Sequence, residues 1–542
     1  QIALFVGVYL LTASSRGRAR ALLYGSIAAV YGYALVASVA MLTGVTWQVA
    51  NFALALVLAS TLLDNRVRSL LHRDFAGLVR LLKSAWGAVS IVSVVVGIQV
   101  VIVTISPELS VDGQLYHGPI LAQMLQSGGL WGWDAPNQYM FYTDLTMAGG
   151  VNLAAFAGAT IFDNGLQIPH LLVLIFAVNL ALTPRFRRAW IRVAFAAVIV
   201  TAPVVWLQPR ILYVDLAYGA AVATLIVLIV LTSSFRLADV LVASTAGAAV
   251  LATKPTGILT GALLLAALLI VAVWRRRREG MRWRAACGPA FLVALVPVFA
   301  AGAFYVRNLM SFGNPVYPVQ VSMGPLRLPG LIDLSIFASG DRGSGLIDFM
   351  RLGSYGSNIA TGIMQGVTKP DYDPRAGGFG SMPLMVLGLA AVLITAQIFV
   401  VVWRRSPGGP LAQKGAWVTQ AGMIGLAFAV LAIQPSTFDS RYVIGPTTVF
   451  ACAMLITKLT SRALLAVDAC VASIALVFAG GQIAWTEMNA DPGASAVLDL
   501  RAFPAKWQPA TPGNPWGRAA SIAWRPSDSS ECARIALQTA GG

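Results

Sequence analysis

Apolar residues run along this chain in long unbroken blocks instead of alternating with polar ones. Blocks that could cross a bilayer occupy approximately residues 1–13, 21–43, 46–64, 85–106, 147–163, 166–183, 190–207, 213–232, 237–252, 257–274, 285–304, 383–403, 416–433, 442–457 and 463–485. Several are shorter than the roughly 20 residues that a straight crossing needs. The pattern predicts an all-α polytopic membrane protein, with one transmembrane bundle over 1–485 and a small Pro-, Trp- and Ser-rich appendage over 486–542 that carries Trp507, Trp516 and Trp524. The opening run, Gln1 to Leu11, has no basic leader and reads as a span, not a cleaved signal peptide.

Composition supports that class. Of 542 residues 57% are apolar and only 11% charged, against roughly a quarter charged in soluble domains; mean hydropathy is +0.74. Most soluble enzyme folds, nucleic-acid modules and disordered tails are excluded. The net charge of +16 arises from 38 Lys plus Arg against 22 Asp plus Glu. These cations gather in short joints between apolar blocks: Arg16 to Arg20, Arg66 to Lys83, Arg185 to Arg192, Arg275 to Arg284, and Arg404 with Arg405. Clusters beside spans mark cytoplasmic loops and argue against nucleic acid as a partner. Residues 106–146, 208–215, 305–382 and 434–441, with the tail, then face outward. The expected setting is a multi-pass protein of a bacterial plasma membrane with its working face extracytoplasmic. Parity fails once, because 147–163 and 166–183 are two blocks where an odd number is required. One of them lies along the interface, re-enters, or is not a span. Four cysteines suggest neither a disulfide framework nor a metal set.

Candidate chemistry concentrates in the outer segments. The first loop carries Asp112, Tyr116 and His117 directly after a long apolar block. A carboxylate at that depth either accepts a proton from a hydroxyl, as a general base does, or caps the helix that follows. Further on stand Arg210, Tyr213 and Asp215; the Lys254-Pro255-Thr256-Gly257 joint; Arg307-Asn308 with Asn314-Pro315-Val316-Tyr317-Pro318; and Asp439-Ser440-Arg441-Tyr442. Bland alternatives exist for each: Lys254 snorkelling to headgroups, Arg307 and Arg441 as loop anchors, Asp215 as a helix-end residue. His72 and His170 read as structural. Asp371-Tyr372-Asp373 has the spacing of a divalent-metal motif but reads more simply as a turn before Pro374. An acid with several cations on one face suits a phosphate-bearing substrate.

In their order, these segments resemble the GT-C superfamily of integral-membrane glycosyltransferases, which includes protein mannosyltransferases and aminoarabinose transferases. The resemblance spans roughly residues 85–450 and includes Gly377-Gly378-Phe379-Gly380. It implies a polyprenyl-phosphate-linked sugar donor, a hydroxyl acceptor on a glycan, lipid or protein, and inversion at the sugar. Asp112 would be the base. Tyr116, His117, Asp215, Lys254, Arg307, Asn308, Arg441 and Tyr442 would contact substrate, with the cations on the phosphate. No metal ligands are assigned; a divalent metal stays open, because the family's second acid has no plain match here, Asp134 and Asp144 both being candidates. A secondary transporter or flippase, and a polysaccharide ligase or polymerase, are the alternatives to a membrane glycosyltransferase.

Overall fold

The computed structural model describes residues 1, 4–9, 12, 17–53, 85–105, 110, 112–133, 138–157, 164–323, 325–333, 378–404, 410–434, 440–456, 464–489, 521–524 and 535–538. The described helices, in chain order, are α1 (Arg18–Leu42, interrupted by a π turn at Ala28–Gly32), α2 (Trp86–Ile105), α3 (Gly118–Ser127), α4 (Leu145–Ala157), α5 (Ile168–Ala181), α6 (Ala189–Val200), α7 (Pro203–Trp206) and α8 (Asp215–Leu231). They continue as α9 (Leu237–Thr253), α10 (Gly257–Arg278), α11 (Trp283–Ala301), α12 (Ala303–Phe312), α13 (Met382–Arg404), α14 (Pro410–Ile433), α15 (Ile444–Leu455) and α16 (Leu464–Asn489). Among the described residues, α1, α2, α10, α11 and α16 are long and apolar enough to cross a membrane. The pair Ala189–Val200 and Pro203–Arg210, bent by 89°, would make a sixth. The protein is thus an all-α polytopic membrane protein in its main body.

Helix α8 is the axis of the bundle. It is apolar on every side, so no face can turn to water, and each residue from Asp215 to Ile229 is buried. Small residues let its neighbours approach closely. A Cβ on Gly219 would lie 2.8 Å from Ile444 Cγ2, and one on Gly445 would lie 2.8 Å from the Gly219 carbonyl. This crossing of α8 and α15 sets Asp215 and Tyr218 beside the Arg441-Tyr442 turn that precedes α15. Gly257 is tighter still: a Cβ there would meet the Val250 carbonyl oxygen at 1.9 Å. Gly257→Ala is therefore expected to cost about 1–3 kcal/mol and displace the Lys254 turn. Gly288→Ala, where nothing lies within 4 Å, is the control; thermal unfolding of both variants in detergent checks the difference.

Arg20, Arg275 and Arg276, from two of the basic joints, meet at the opposite end of α8. Arg20 Nη2 donates to the Leu231 carbonyl (3.0 Å), Arg275 donates to the carbonyls of Val230 and Thr232, and Arg276 donates to that of Phe235 (3.2 Å). Cations at a helix C-terminus satisfy its open carbonyls and oppose its dipole. Arg185 forms a two-pronged buried ion pair with Asp468 of α16 (2.7 and 3.0 Å).

The parity problem has a geometric answer. Helix α4 spans 13 residues, about 20 Å at 1.5 Å per residue against a hydrocarbon core of about 30 Å. It begins beside Asp144, which contacts His117, and the turn Asn164–Gln167 that precedes α5 returns to Tyr213, whose carbonyl accepts from Gln167 Nε2. Both ends of 145–167 therefore sit at the same end of the bundle.

The long loop departs from purely helical expectation. Helix α12 leads into a three-stranded sheet of order β2-β1-β3: β1 (Val319–Met323) pairs antiparallel with β2 (Leu326–Leu328) and parallel with β3 (Ile332–Asp333). Asn314 Nδ2 ties it down through the Val319 and Pro329 carbonyls, both at 2.7 Å. In the tail, β4 (Ser521–Trp524) and β5 (Ile535–Gln538) pair antiparallel.

Candidate functional site

The residues around Asp112 begin with an unusual turn. Gly113–His117 is a π turn, closed by the Gly118 N–H donating to the Gly113 carbonyl. In an α-helix, positions five apart lie about 140° round the axis. The wider π turn brings Asp112 and His117 closer to one side. Asp112 does not cap this turn: the Gly113 N–H is taken by Ser110 Oγ (3.2 Å). The carboxylate instead accepts from Arg441 Nη1 at 3.1 Å.

From Arg441 a charged chain runs inward. Its Nη1 lies 3.7 Å from Asp215 Oδ2, and Lys254 Nζ donates to Asp215 Oδ1 at 2.6 Å. Asp112, Arg441, Asp215 and Lys254 thus alternate in sign, although they lie in four distant parts of the sequence. Helix polarity helps to position two of them: Asp215 opens α8 and Lys254 follows the end of α9, each where the local dipole favours its charge. Lys254 is 7% exposed, so it does not snorkel. Its ammonium sits 3.6 Å from the Tyr442 ring centroid and 4.6 Å from that of Tyr218, and Arg441 lies 5.1 Å over Tyr213 and 4.9 Å over Tyr442. Aromatic faces hold these cations while leaving their edges directed at anions. Arg441 Nη2 also donates to the Tyr442 hydroxyl (3.3 Å). Behind them, the Tyr218 hydroxyl donates to Gln434 Oε1 (2.8 Å).

His117 belongs to a second unit. Its Nδ1 is 2.6 Å from Asp144 Oδ2, and Asp144 Oδ1 accepts the Met147 N–H at the start of α4 (3.1 Å). The ring lies 4.2 Å from Tyr116 and 6.4 Å from Tyr213 between centroids. Around Asp112 stand the phenols of Tyr116, Tyr139 and Tyr142. Burial pushes their pKa values above the ordinary range, and the Asp112 charge adds to the rise, so all three are neutral hydroxyls.

Arg307 and Asn308 lie elsewhere. Arg307 is 1% exposed and donates to the Phe141 carbonyl (2.8 Å) and to Asn308 Oδ1 (2.9 Å), while Asn308 Nδ2 donates to the carbonyls of Phe141 and Tyr317 (2.9 and 3.0 Å). The guanidinium is boxed by Trp133, Phe141 and Phe304. These two side chains clamp the first loop onto α12 and the Tyr317 turn. None of Arg307's contacts among the described residues reaches Asp112, Asp215 or Lys254.

No protein-family profile matches the chain, and no curated protein matches it. What the site can do rests on its own geometry.

A small cleft, with room for about one water molecule, is lined among others by Tyr31, Ala34, Leu145, Thr146, His170 and Thr253. Leu145 and Thr253 directly adjoin Asp144 and Lys254 in the chain, although neither Asp112, Asp215 nor Arg441 lines the cleft. His170 is buried against Tyr31 (5.3 Å). Among the described residues no group of three or more His, Cys, Asp or Glu is placed to hold a metal ion. His72, Asp134, Asp371, Asp373 and Asp439 lie outside the described residues. Sequence reading passed over Tyr218, one helical turn after Asp215, and Gln434; the i, i+3 spacing from Asp215 was the available signal for the former. It left Asp144 as one of two candidate acids, and the contact with His117 is tertiary.

Proposed function

We propose that this protein is an inverting membrane glycosyltransferase that moves a sugar from a polyprenyl-phosphate donor to a hydroxyl acceptor on the extracytoplasmic face of a bacterial plasma membrane. The observation that carries the reading is the Asp112–Arg441–Asp215–Lys254 chain: a carboxylate of the first loop and two aromatic-braced cations at one end of the bundle, opposite Arg20, Arg275 and Arg276. The positive-inside rule favours that end as the extracytoplasmic one.

The four charges of the chain as it stands sum to zero, and the Asp112 carboxylate is engaged by Arg441. A donor phosphate entering at Arg441 and Lys254 competes with Asp112 for Arg441, and the released carboxylate is then free to take the acceptor's proton. As that oxygen attacks the anomeric carbon from the face opposite the phosphate, the C–O bond to phosphate breaks and its electron pair leaves with the lipid phosphate. Preorganised cations at the leaving group are worth several kcal/mol of barrier. The Arg307-Asn308 clamp holds the loop that carries Tyr139 and Tyr142.

Binding of C55 polyprenyl monophosphate to the purified chain in nanodiscs tests the phosphate site. Arg441→Gln is expected to weaken it by about tenfold to a hundredfold, the scale of one charge-assisted hydrogen bond. Unchanged binding would remove the site from this reading. The buried ion pairs Asp215–Lys254 and Arg185–Asp468 also suit a transporter. Such a protein would move the lipid-linked substrate without releasing free polyprenyl phosphate.

A further inference from the structure

The His117–Asp144 pair is not used by the steps above. Asp144 is fully buried and His117 is 4% exposed, yet only the Nδ1 edge of the imidazole is engaged. Nε2 has no hydrogen-bond partner among the described residues. A carboxylate on Nδ1 fixes the tautomer and ring orientation, and it leaves Nε2 to carry a proton to or from a substrate. The π turn brings His117 and Asp112 closer to one side of the turn. The imidazole packs on Tyr116 from its own loop and near Tyr213, the ring under Arg441, and it lies within electrostatic reach of Asp215. The charged groups facing it are therefore Asp144 from the start of α4, Asp215 from α8, and Arg441 across Tyr213.

We propose that His117, positioned by Asp144, is the proton donor to the departing phosphate. The proposal rests on the transferase reading above and deepens it. A glycosyl lipid phosphodiester carries one negative charge, and the lipid phosphate it releases carries up to two. As the bond from the anomeric carbon to the phosphate oxygen breaks, its electron pair goes to that oxygen, and the proton on Nε2 moves onto it. The acceptor oxygen forms the new bond and gives its own proton to Asp112. A phosphate monoester has its second pKa near 6, so the departing phosphate can take up such a proton near neutral pH. Neutral His117 regains a proton from water after the lipid leaves, and Asp112 loses one. Asp144 is a positioning residue.

The product, C55 polyprenyl monophosphate, is the probe, with binding to the full chain measured at pH 6 and pH 8.5. His117→Gln is expected to weaken binding by about tenfold or more at pH 6 and by less than about twofold at pH 8.5, because with Nδ1 held by Asp144 only a protonated ring can donate from Nε2. Comparing variant with wild type at each pH cancels the titration of the phosphate itself. Asp144→Asn is expected to show the same pH-dependent deficit. A deficit equal at both pH values, or none, with Arg441→Gln still impaired, overturns the role of His117 and leaves the transferase reading standing. If Arg441→Gln also binds normally, the phosphate reading falls and this proposal with it. In wild-type protein the ¹⁵N resonance of His117 Nε2 should move when the lipid is added, a test independent of variant folding; an unmoved resonance overturns the proposal.

Discussion

Asp112→Asn is expected to lower turnover by about 10²–10⁴-fold while leaving the fold and polyprenyl-phosphate binding close to wild type. The asymmetry follows from what the carboxylate does in the structure. Asp112 spends no hydrogen bond on its own turn, because Ser110 takes the Gly113 N–H. The amide oxygen of Asn can still accept from Arg441 Nη1, so the contact that joins the first loop to the α15 turn survives. What is lost is the ability to take up a proton, together with one negative charge competing for Arg441. Lipid phosphate binding should thus hold or tighten slightly. The measurement is release of free polyprenyl phosphate from the lipid-linked sugars of the source membranes, set against binding of the monophosphate. Wild-type turnover in the Asn variant would dispose of Asp112 as the base.

Lys254→Met should destabilise the protein by about 3–5 kcal/mol, with most of the loss recovered when Asp215→Asn is added. Lys254 and Asp215 side chains are 8% and 5% exposed, and their contact is 2.6 Å. Removing the ammonium leaves a buried carboxylate whose remaining cation, Arg441, is 3.7 Å away and shared with Asp112. That sharing places the single variant at the lower end of the range. In the double variant neither charge remains to be desolvated, so stability returns, but a phosphate-holding cation is gone and lipid phosphate binding should stay weak. Thermal unfolding of the two single variants and the double variant measures the coupling. Equal losses in Lys254→Met and in the double variant would mean that the ammonium is held by its aromatic neighbours Tyr218 and Tyr442 and not by Asp215.

Much of the architecture follows from one-dimensional pattern. Blocks such as 85–106 and 257–274 became α2 and α10 because an apolar backbone in lipid must satisfy its own hydrogen bonds, and a helix does so locally. Arg275 marks one end of the bundle for an equally local reason: it follows directly on an apolar span and reaches the open carbonyl of Val230 at the end of α8. Block 147–163 is ambiguous in one dimension because hydropathy measures composition and not direction. That α4 and the Asn164–Gln167 turn stay at one end is settled by His117–Asp144 and Gln167–Tyr213, contacts between segments 27 and 46 residues apart.

The candidate site divides along the same line. The linear pattern establishes which chemical groups are present and that they fall in segments between spans: Asp112, His117, Asp215, Lys254, Arg307 and Arg441 are all legible as residue types out of place beside hydrocarbon. Their partners come from packing in three dimensions. Arg441 meets Asp112 across 329 residues, Lys254 meets Asp215 through the tight turn between α9 and α10 that Gly257 permits, and Arg307, read as equivalent to the other cations, instead clamps a loop carbonyl. The physical reason is that a charge next to a span advertises its cost of burial through composition, whereas the counter-charge that offsets that cost is chosen by helix packing. That packing is governed here by small residues such as Gly219 and Gly445, whose meaning lies in the helix they face.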